Sequence, residues 1–291
     1  MNHTSVNRIF CLVGLFTLIL LGTKNSLASG LFEFKAEVVK IEDLTHNVRR
    51  VGLRLKNSKG FAFTPGQYTF VRIPKSFVKK WNQQYKTSHD EVFRPYSFAS
   101  SSSHLPLFDL IIKLARAPRG KDVPPGIAST FIHSHLKVGN QLELSAPTGD
   151  LYLKPDTGEP IIIVAGGSGA APFVSLLQYF FEKDFDKNNE IYFFFGVRSK
   201  RDLFLHDQFV AWDQSKPKFH YIPGLSRPQP QDNWKGETGY IQLALDKHLK
   251  GPSGAHAYLA GPPIMIREVE KVLRRKGITK NRTYYDEIEA R

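Results

Sequence analysis

The 291-residue sequence holds a single cysteine, Cys11. One thiol excludes an intrachain disulfide framework. It also excludes an iron–sulfur cluster on this chain, which needs several thiolates, and zinc held by cysteine pairs. The ten histidines are scattered. His133 and His135 stand two apart, which on a helix sends them to different faces, so no metal site is expected. Residues 1–30 contain no acidic residue, only Arg8 and Lys24. There is no internal repeat and no long low-complexity run; Ser100–Ser103 is the one biased stretch and reads as a turn. No recognised nucleic-acid motif accompanies the net charge of +13, so a nucleic-acid partner is not expected.

Apolar residues make up 41% of the chain, including 22 Phe and 11 Tyr. That supports a large core, and the length suits two domains. The charge is uneven. Residues 31–155 carry 19 Lys/Arg against 10 Asp/Glu, while residues 156–291 carry 19 against 17. The basic excess, with Lys75, Lys79, Lys80 and Lys86, reads either as a solvated face or as attraction to an acidic partner or anionic membrane surface.

From Leu31 to about Lys154 the pattern is short alternating strands: 32–38, 51–55, 68–73, 107–114 and 141–144. Gly and Pro between them suggest an antiparallel barrel or sandwich. Pro74–Asp90 reads as a polar, partly helical excursion, and Gly126–Leu136 as a short helix. From Pro160 strands and helices alternate: strands 161–164, 191–197, 219–222 and 256–259, helices 170–182, 202–212 and 264–276. This is the mark of a parallel, doubly wound sheet. The expected architecture is a β plus α/β pair: an N-terminal segment (1–30), an antiparallel β-barrel domain (31–155) and a Rossmann-like parallel α/β domain (156–291).

Three turns fall at the carboxyl ends of the parallel strands, where ligands bind in such sheets. Gly166-Gly167-Ser168-Gly169, followed by Pro172, comes straight after the apolar strand and lets a pyrophosphate reach backbone N–H groups. Arg198-Ser199-Lys200-Arg201 follows the next strand and suits ribose and phosphate contacts. Gly261-Pro262-Pro263 follows the last. In the first half, Arg94-Pro95-Tyr96-Ser97 puts a cation, an aromatic ring and a hydroxyl at one strand end. Arginine holds phosphate through bidentate bonds, and tyrosine stacks on a flat ring. Gly126-Ile127-Ala128-Ser129 opens a helix with free N–H donors and an early hydroxyl. Each feature alone has an ordinary structural reading: an exposed strand-end Arg, a helix cap, a tight turn, a charged loop. Together they indicate two dinucleotide sites, and electrons moving between two nucleotide cofactors.

The order Arg-x-Tyr-Ser, Gly-x-x-Ser, Gly-Gly-x-Gly-x-x-Pro and Gly-Pro-Pro-x-Met resembles the ferredoxin–NADP reductase superfamily. Val123-Pro124-Pro125-Gly126, Gly196–Arg201, Ser226–Trp234 and Tyr284–Glu287 are similar to the FAD/NADH module of the sodium-translocating NADH:quinone reductase, carried on that enzyme's F component. The resemblance covers roughly Leu31 to Ile288. It implies FAD held by Arg94, Pro95, Tyr96, Ser97, Lys113, Gly126, Ile127, Ala128 and Ser129. It implies a nicotinamide dinucleotide held by Gly166, Gly167, Ser168, Gly169, Pro172, Arg198, Ser199, Arg201, Gly261, Pro262 and Met265. NADH is favoured, and NADPH is allowed by Arg198 and Arg201. Ser97, Ala260 and Glu287 fall at the positions of the hydride-transfer centre. The implied reaction is hydride transfer from NADH to FAD, with electrons passing on to a quinone or redox-protein acceptor. Two departures stand out. The family's cysteine-ligated two-iron domain has no counterpart here, and the family's cysteine before Gly-Pro-Pro is Ala260. The latter supports an alternative, a non-catalytic or weakly catalytic electron-transfer subunit of a membrane complex. A ferredoxin or flavin reductase is a third reading.

Arg8 precedes a 14-residue apolar run, Ile9–Gly22, with a small-x-small pair at Ser26 and Ala28. The length suits a signal-peptide core better than a membrane span. A need for reduced nicotinamide favours the other outcome. The expectation is an inner-membrane protein with one uncleaved N-terminal anchor at about Ile9–Leu21 and a cytoplasmic catalytic part. Export after signal cleavage is the alternative.

Overall fold

The computed structural model describes residues 31–118, 120–152, 158–251 and 254–287. These fall into two compact bodies. One takes residues up to 152 together with Ala171–Lys183; the other takes residues 158–170 and those from Asp184 onward.

The first body is built on β1 (Phe34–Thr45), β2 (Val48–Leu55), β3 (Tyr68–Arg72), β4 (Phe93–Ser97), β5 (Leu107–Lys113) and β6 (Gln141–Leu144). They form one six-stranded antiparallel sheet in the order β4-β3-β6-β1-β2-β5. The edge strands β4 and β5 are tied by a bridge just past the end of β4, Phe98 opposite Leu110. Alternation sends Ala36, Val38, Val51, Leu53, Val71 and Leu144 into the core. β1 is longer than its sequence pattern suggests. It pairs with β6 over Phe34–Glu37 and with β2 out to Thr45, with two irregularities in register. Its second half is only half-buried, so hydrophobic alternation fades while the ladder continues.

Two helices complete that sheet. Helix α1 (Lys75–Tyr85) occupies the polar excursion and buries Val78 and Trp81. Phe77 of α1 lies 5.2 Å from Phe131 of helix α2 (Ile127–Ser134), ring centre to ring centre. Helix α3 (Ala171–Glu182) groups with this body as well. Its polar residues meet the serine turn. The Ser175 hydroxyl donates to Ser100 O at 2.6 Å, Gln178 Oε1 accepts from Ser101 N at 3.0 Å, and Glu182 accepts from the Ser101 hydroxyl at 2.5 Å.

The second body is a parallel sheet of β7 (Ile161–Gly166), β8 (Ile191–Val197), β9 (Phe219–Leu225), β10 (Glu237–Thr238), β11 (His256–Gly261) and β12 (Thr283–Glu287). The order is β10-β9-β8-β7-β11-β12. Every pairing is parallel. The chain reverses direction across the sheet between β7 and β11, which makes that position the topological switch point. Ile162, Val164 and Phe194 pack on one face with α5 (Ile241–His248) and α6 (Pro263–Arg275). Phe193 and Phe195 point to the other face, stacked 5.8 Å apart, and Phe209 of α4 (His206–Ser215) meets both edge-on.

Helix α4 starts four residues later than the sequence pattern implies. A single 3-10 turn covers Lys200–Asp202, and Leu205 takes a left-handed conformation at φ 55° before the helix begins.

The membrane expectation is corrected. Among the described residues no helix is long and apolar enough to cross a membrane. The run at Ile9–Leu21, on which the inner-membrane anchor and the cytoplasmic placement of the catalytic part depend, lies outside the described residues.

Candidate functional site

The first body gathers its candidate residues where the two edge strands come together. Arg94, Pro95, Tyr96 and Ser97 are all half-buried on β4. β3 pairs with them through Val71, Phe70, Thr69 and Tyr68. The antiparallel bridge at Phe98 and Leu110 sets the course of this segment against Ile111–Lys113 of β5. Lys113 ends β5 opposite Val48. Burial pushes the Tyr96 phenol well above its ordinary pKa, against the opposing pull of the Arg94 charge. Tyr96 is therefore a neutral ring and O–H donor at working pH.

The turn at Gly126 leans on the end of β5. Gly126 N donates to Ala115 O at 2.8 Å, and Ala115 N donates to the Ser129 hydroxyl at 3.1 Å. That hydroxyl in turn donates to Gly126 O at 3.0 Å. Ser129 thus fastens the turn, and no side chain caps α2. The first-turn N–H groups of Ile127, Ala128 and Ser129 have no partner within a helix by its geometry. A Cβ on Gly126 would lie 2.7 Å from Ala115 Cβ, so this close turn requires glycine. An uncapped helix start with a guanidinium and a neutral phenol on β4 is a donor set that fits a diphosphate carrying a flat ring.

In the second body the glycine-rich turn sits at the switch point. Gly167 is left-handed at φ 55° and opens a 3-10 turn, Gly167–Ala170. A Cβ on Gly169 would lie 2.2 Å from Ala260 O, and one on Gly166 would lie 2.6 Å from Met265 Sδ. These glycines let the turn press against the ends of β11 and α6, and so keep its backbone bare. Ala165 is paired with Ala260, and Gly261 with Glu287. Three strand ends carrying candidate residues therefore lie side by side. Ala260 is fully buried. Pro262 and Pro263 start α6, and Pro172 is the second residue of α3. The bare turn at a switch point fits a second pyrophosphate.

At the ends of β8 and β9 two loops brace one another. The Ser199 N–H and hydroxyl both donate to Asp202 Oδ2, at 3.0 and 2.7 Å. Asp232 Oδ2 accepts from Gln229 N and Lys200 N. Arg227 N donates to Arg198 O at 2.7 Å. Trp234 Nε1 donates to Glu237 O at 2.9 Å. The two acids are thus occupied in holding backbone, while the side chains of Arg198, Arg201 and Arg227 are exposed. Sequence reasoning does not single out Arg227. Its position at the end of β9 is the available signal, but the sequence pattern ends that strand at Ile222.

Comparison with known proteins agrees with both bodies. Residues 35–152 match the oxidoreductase FAD-binding domain, and residues 163–271 match the oxidoreductase NAD-binding domain. The phenol hydroxylase P5 protein of Acinetobacter pittii is 32% identical over 235 residues, covering 80% of this chain and 59% of its own length. The F component of the Na(+)-translocating NADH-quinone reductase of Neisseria meningitidis is 30% identical over 283 residues, covering 89% and 69%. The chain therefore spans about three-fifths to two-thirds of these relatives. In fold it is similar to the cytochrome P450 reductase GcoB of Amycolatopsis, with TM-score 0.72 and 23% identity over 89% of this chain and 70% of that one. It is similar too to the FAD/NAD-binding domain of nitric oxide dioxygenase from Vibrio cholerae, with TM-score 0.72 and 22% identity over 88% and 98%. With a FAD-binding and a NAD-binding oxidoreductase domain in sequence, and with the NADH-quinone reductase F component as a homologue along most of its length, the chain belongs to the ferredoxin reductase family of oxidoreductases.

Proposed function

We propose that the chain is an NADH-dependent FAD reductase that passes electrons to a quinone or a redox protein. One observation carries the reading: a single chain holds an uncapped helix start in the same body as Arg94 and Tyr96, and a bare glycine turn at a parallel-sheet switch point. Bound FAD would supply the two-electron centre that accepts hydride and hands electrons onward. The chain's own residues do the holding. Arg94 and the first-turn N–H groups of α2 bind the FAD diphosphate, Tyr96 covers the ring, and Ser97 lies at its polar edge. Lys113 adds positive charge at the end of β5. Gly166–Gly169 bind the nicotinamide pyrophosphate, Gly261, Pro262 and Met265 shape its nicotinamide side, and Arg198, Ser199 and Arg201 form its ribose side. On this reading the six-stranded antiparallel sheet is an open barrel, and the domain junction lies at about residues 155–156. NADH is favoured over NADPH by likeness to the NADH-quinone reductase relative.

Steady-state oxidation of NADH with ferricyanide and with a water-soluble quinone tests the reading. Turnover with either supports it. A quinone rate well above the basal rate assigns the acceptor class.

A second reading is favoured by Ala260, which is buried at the position where the family resemblance implies a cysteine. On that reading the chain binds both cofactors and turns over weakly. Ala260→Cys then raises the rate of flavin reduction by NADH in stopped flow, whereas an unchanged rate removes this reading.

A further inference from the structure

Helix α2 is held at its far end by a half-buried cation. Arg49, on β2, has a side chain only 15% exposed. Its guanidinium grips Asp43 with two parallel bonds, Nε to Oδ1 at 2.7 Å and Nη2 to Oδ2 at 3.1 Å. Its remaining nitrogen, Nη1, donates to Ile132 O at 3.1 Å and His133 O at 2.8 Å. Those carbonyls belong to the last turn of α2, whose C=O groups lack helical partners. The His133 ring reaches Ile112 O, on β5, at 3.0 Å. The same helix is fastened at its start by Ser129 and Gly126 to Ala115, just past β5. Arg49 is thus the cation at the negative end of a helix whose positive end is uncapped.

We propose that Arg49 is a positioning residue for the FAD diphosphate, acting through the whole length of α2. The inference rests on the FAD reading above. Three features give it content. The fork is fixed by Asp43, so it presents Nη1 in one direction. Both carbonyls it meets lie near the end of an eight-residue helix, so a shift there moves the first turn as a rigid unit. A cation at the helix C-terminus satisfies orphan carbonyls and leaves the first-turn N–H groups as the unmatched pole. Lysine retains the charge but cannot hold Asp43 and two carbonyls together.

The test is flavin binding to the full chain stripped of cofactor, followed by flavin fluorescence. FAD and riboflavin are titrated into the wild type, Arg49→Met and Arg49→Lys, and thermal stability is recorded for each. Riboflavin offers the same ring without the diphosphate. The expected result for Arg49→Met is an FAD dissociation constant raised roughly tenfold, with riboflavin changed by less than about twofold. Arg49→Lys recovers part of the loss. Should Arg49→Met fail to fold, Arg49→Lys alone decides, because a diphosphate-selective loss is expected there as well. Equal weakening of FAD and riboflavin would mean a general structural role and overturns the proposal, as does an unchanged FAD affinity. If the wild type itself binds no FAD, the flavin reading falls first and takes this inference with it.

Discussion

A methyl group on Gly169 would have to sit 2.2 Å from the Ala260 carbonyl oxygen. No side-chain rotation relieves a clash with backbone, so the glycine turn or β11 must move. Gly169→Ala is expected to destabilise the chain by about 1–3 kcal/mol or more, seen as a lower urea midpoint; a change below about 0.5 kcal/mol would show that the turn gives way freely. The arginines nearby speak to cofactor choice. Asp202 and Asp232 are engaged with backbone and with the Ser199 hydroxyl, which leaves Arg198, Arg201 and Arg227 facing solvent. Such groups accept a ribose 2′-phosphate. NADH is expected to give the higher kcat/KM, with NADPH still used. Arg201→Ala should lower the NADPH value more than the NADH value. If NADPH is preferred by about tenfold or more, the ribose side is built for phosphate and NADH is the wrong donor.

Helix α2 carries a pH dependence. Burial lowers the His133 pKa below its ordinary value of 6.5, and the nearby Arg49 charge lowers it further, while the bond to Ile112 O and the Asp43 carboxylate oppose this. A histidine depressed in the folded state favours the native form while neutral. Its contribution is complete above the unfolded pKa and is lost as pH falls from about 6.5 toward the lower folded value. Unfolding midpoints should therefore decline through that window. His133→Gln, which keeps a donor for Ile112 O, should flatten the decline. A slope unchanged by the substitution would place its source elsewhere. The sequence makes this helix legible, since Pro-Pro-Gly before an apolar run is a clear start signal. It also makes β7 and β8 legible, because strands buried on both faces read as unbroken apolar runs. Other elements are hidden for physical reasons. Tyr284 and Tyr285 are part of a strand only by virtue of parallel pairing to β11, which no local pattern records. The onset of α4 depends on Leu205 adopting a left-handed conformation, which a leucine does not advertise. The Ser129 hydroxyl's bonds to Ala115 and Gly126 are likewise set by tertiary contact and leave no local signal.

At the scale of the whole molecule, two sheets of opposite character follow each other in one chain, antiparallel and then parallel. That order is legible from the change in pattern at Pro160. The grouping of α3 with the first body is not, because it rests on Ser175 meeting Ser100 and Gln178 meeting Ser101 across about 75 residues of chain. The match to FAD-binding and NAD-binding oxidoreductase domains, residues 35–152 and 163–271, leaves the passage of electrons between two nucleotides as the central claim. The most direct measurement is the visible absorbance spectrum of the purified chain before and after anaerobic NADH, with metal analysis of the same sample. The predicted result is a flavin spectrum, FAD released on denaturation, no stoichiometric iron, and bleaching of the flavin band by NADH. A chain that holds no flavin, or a flavin that neither NADH nor NADPH bleaches, would contradict it.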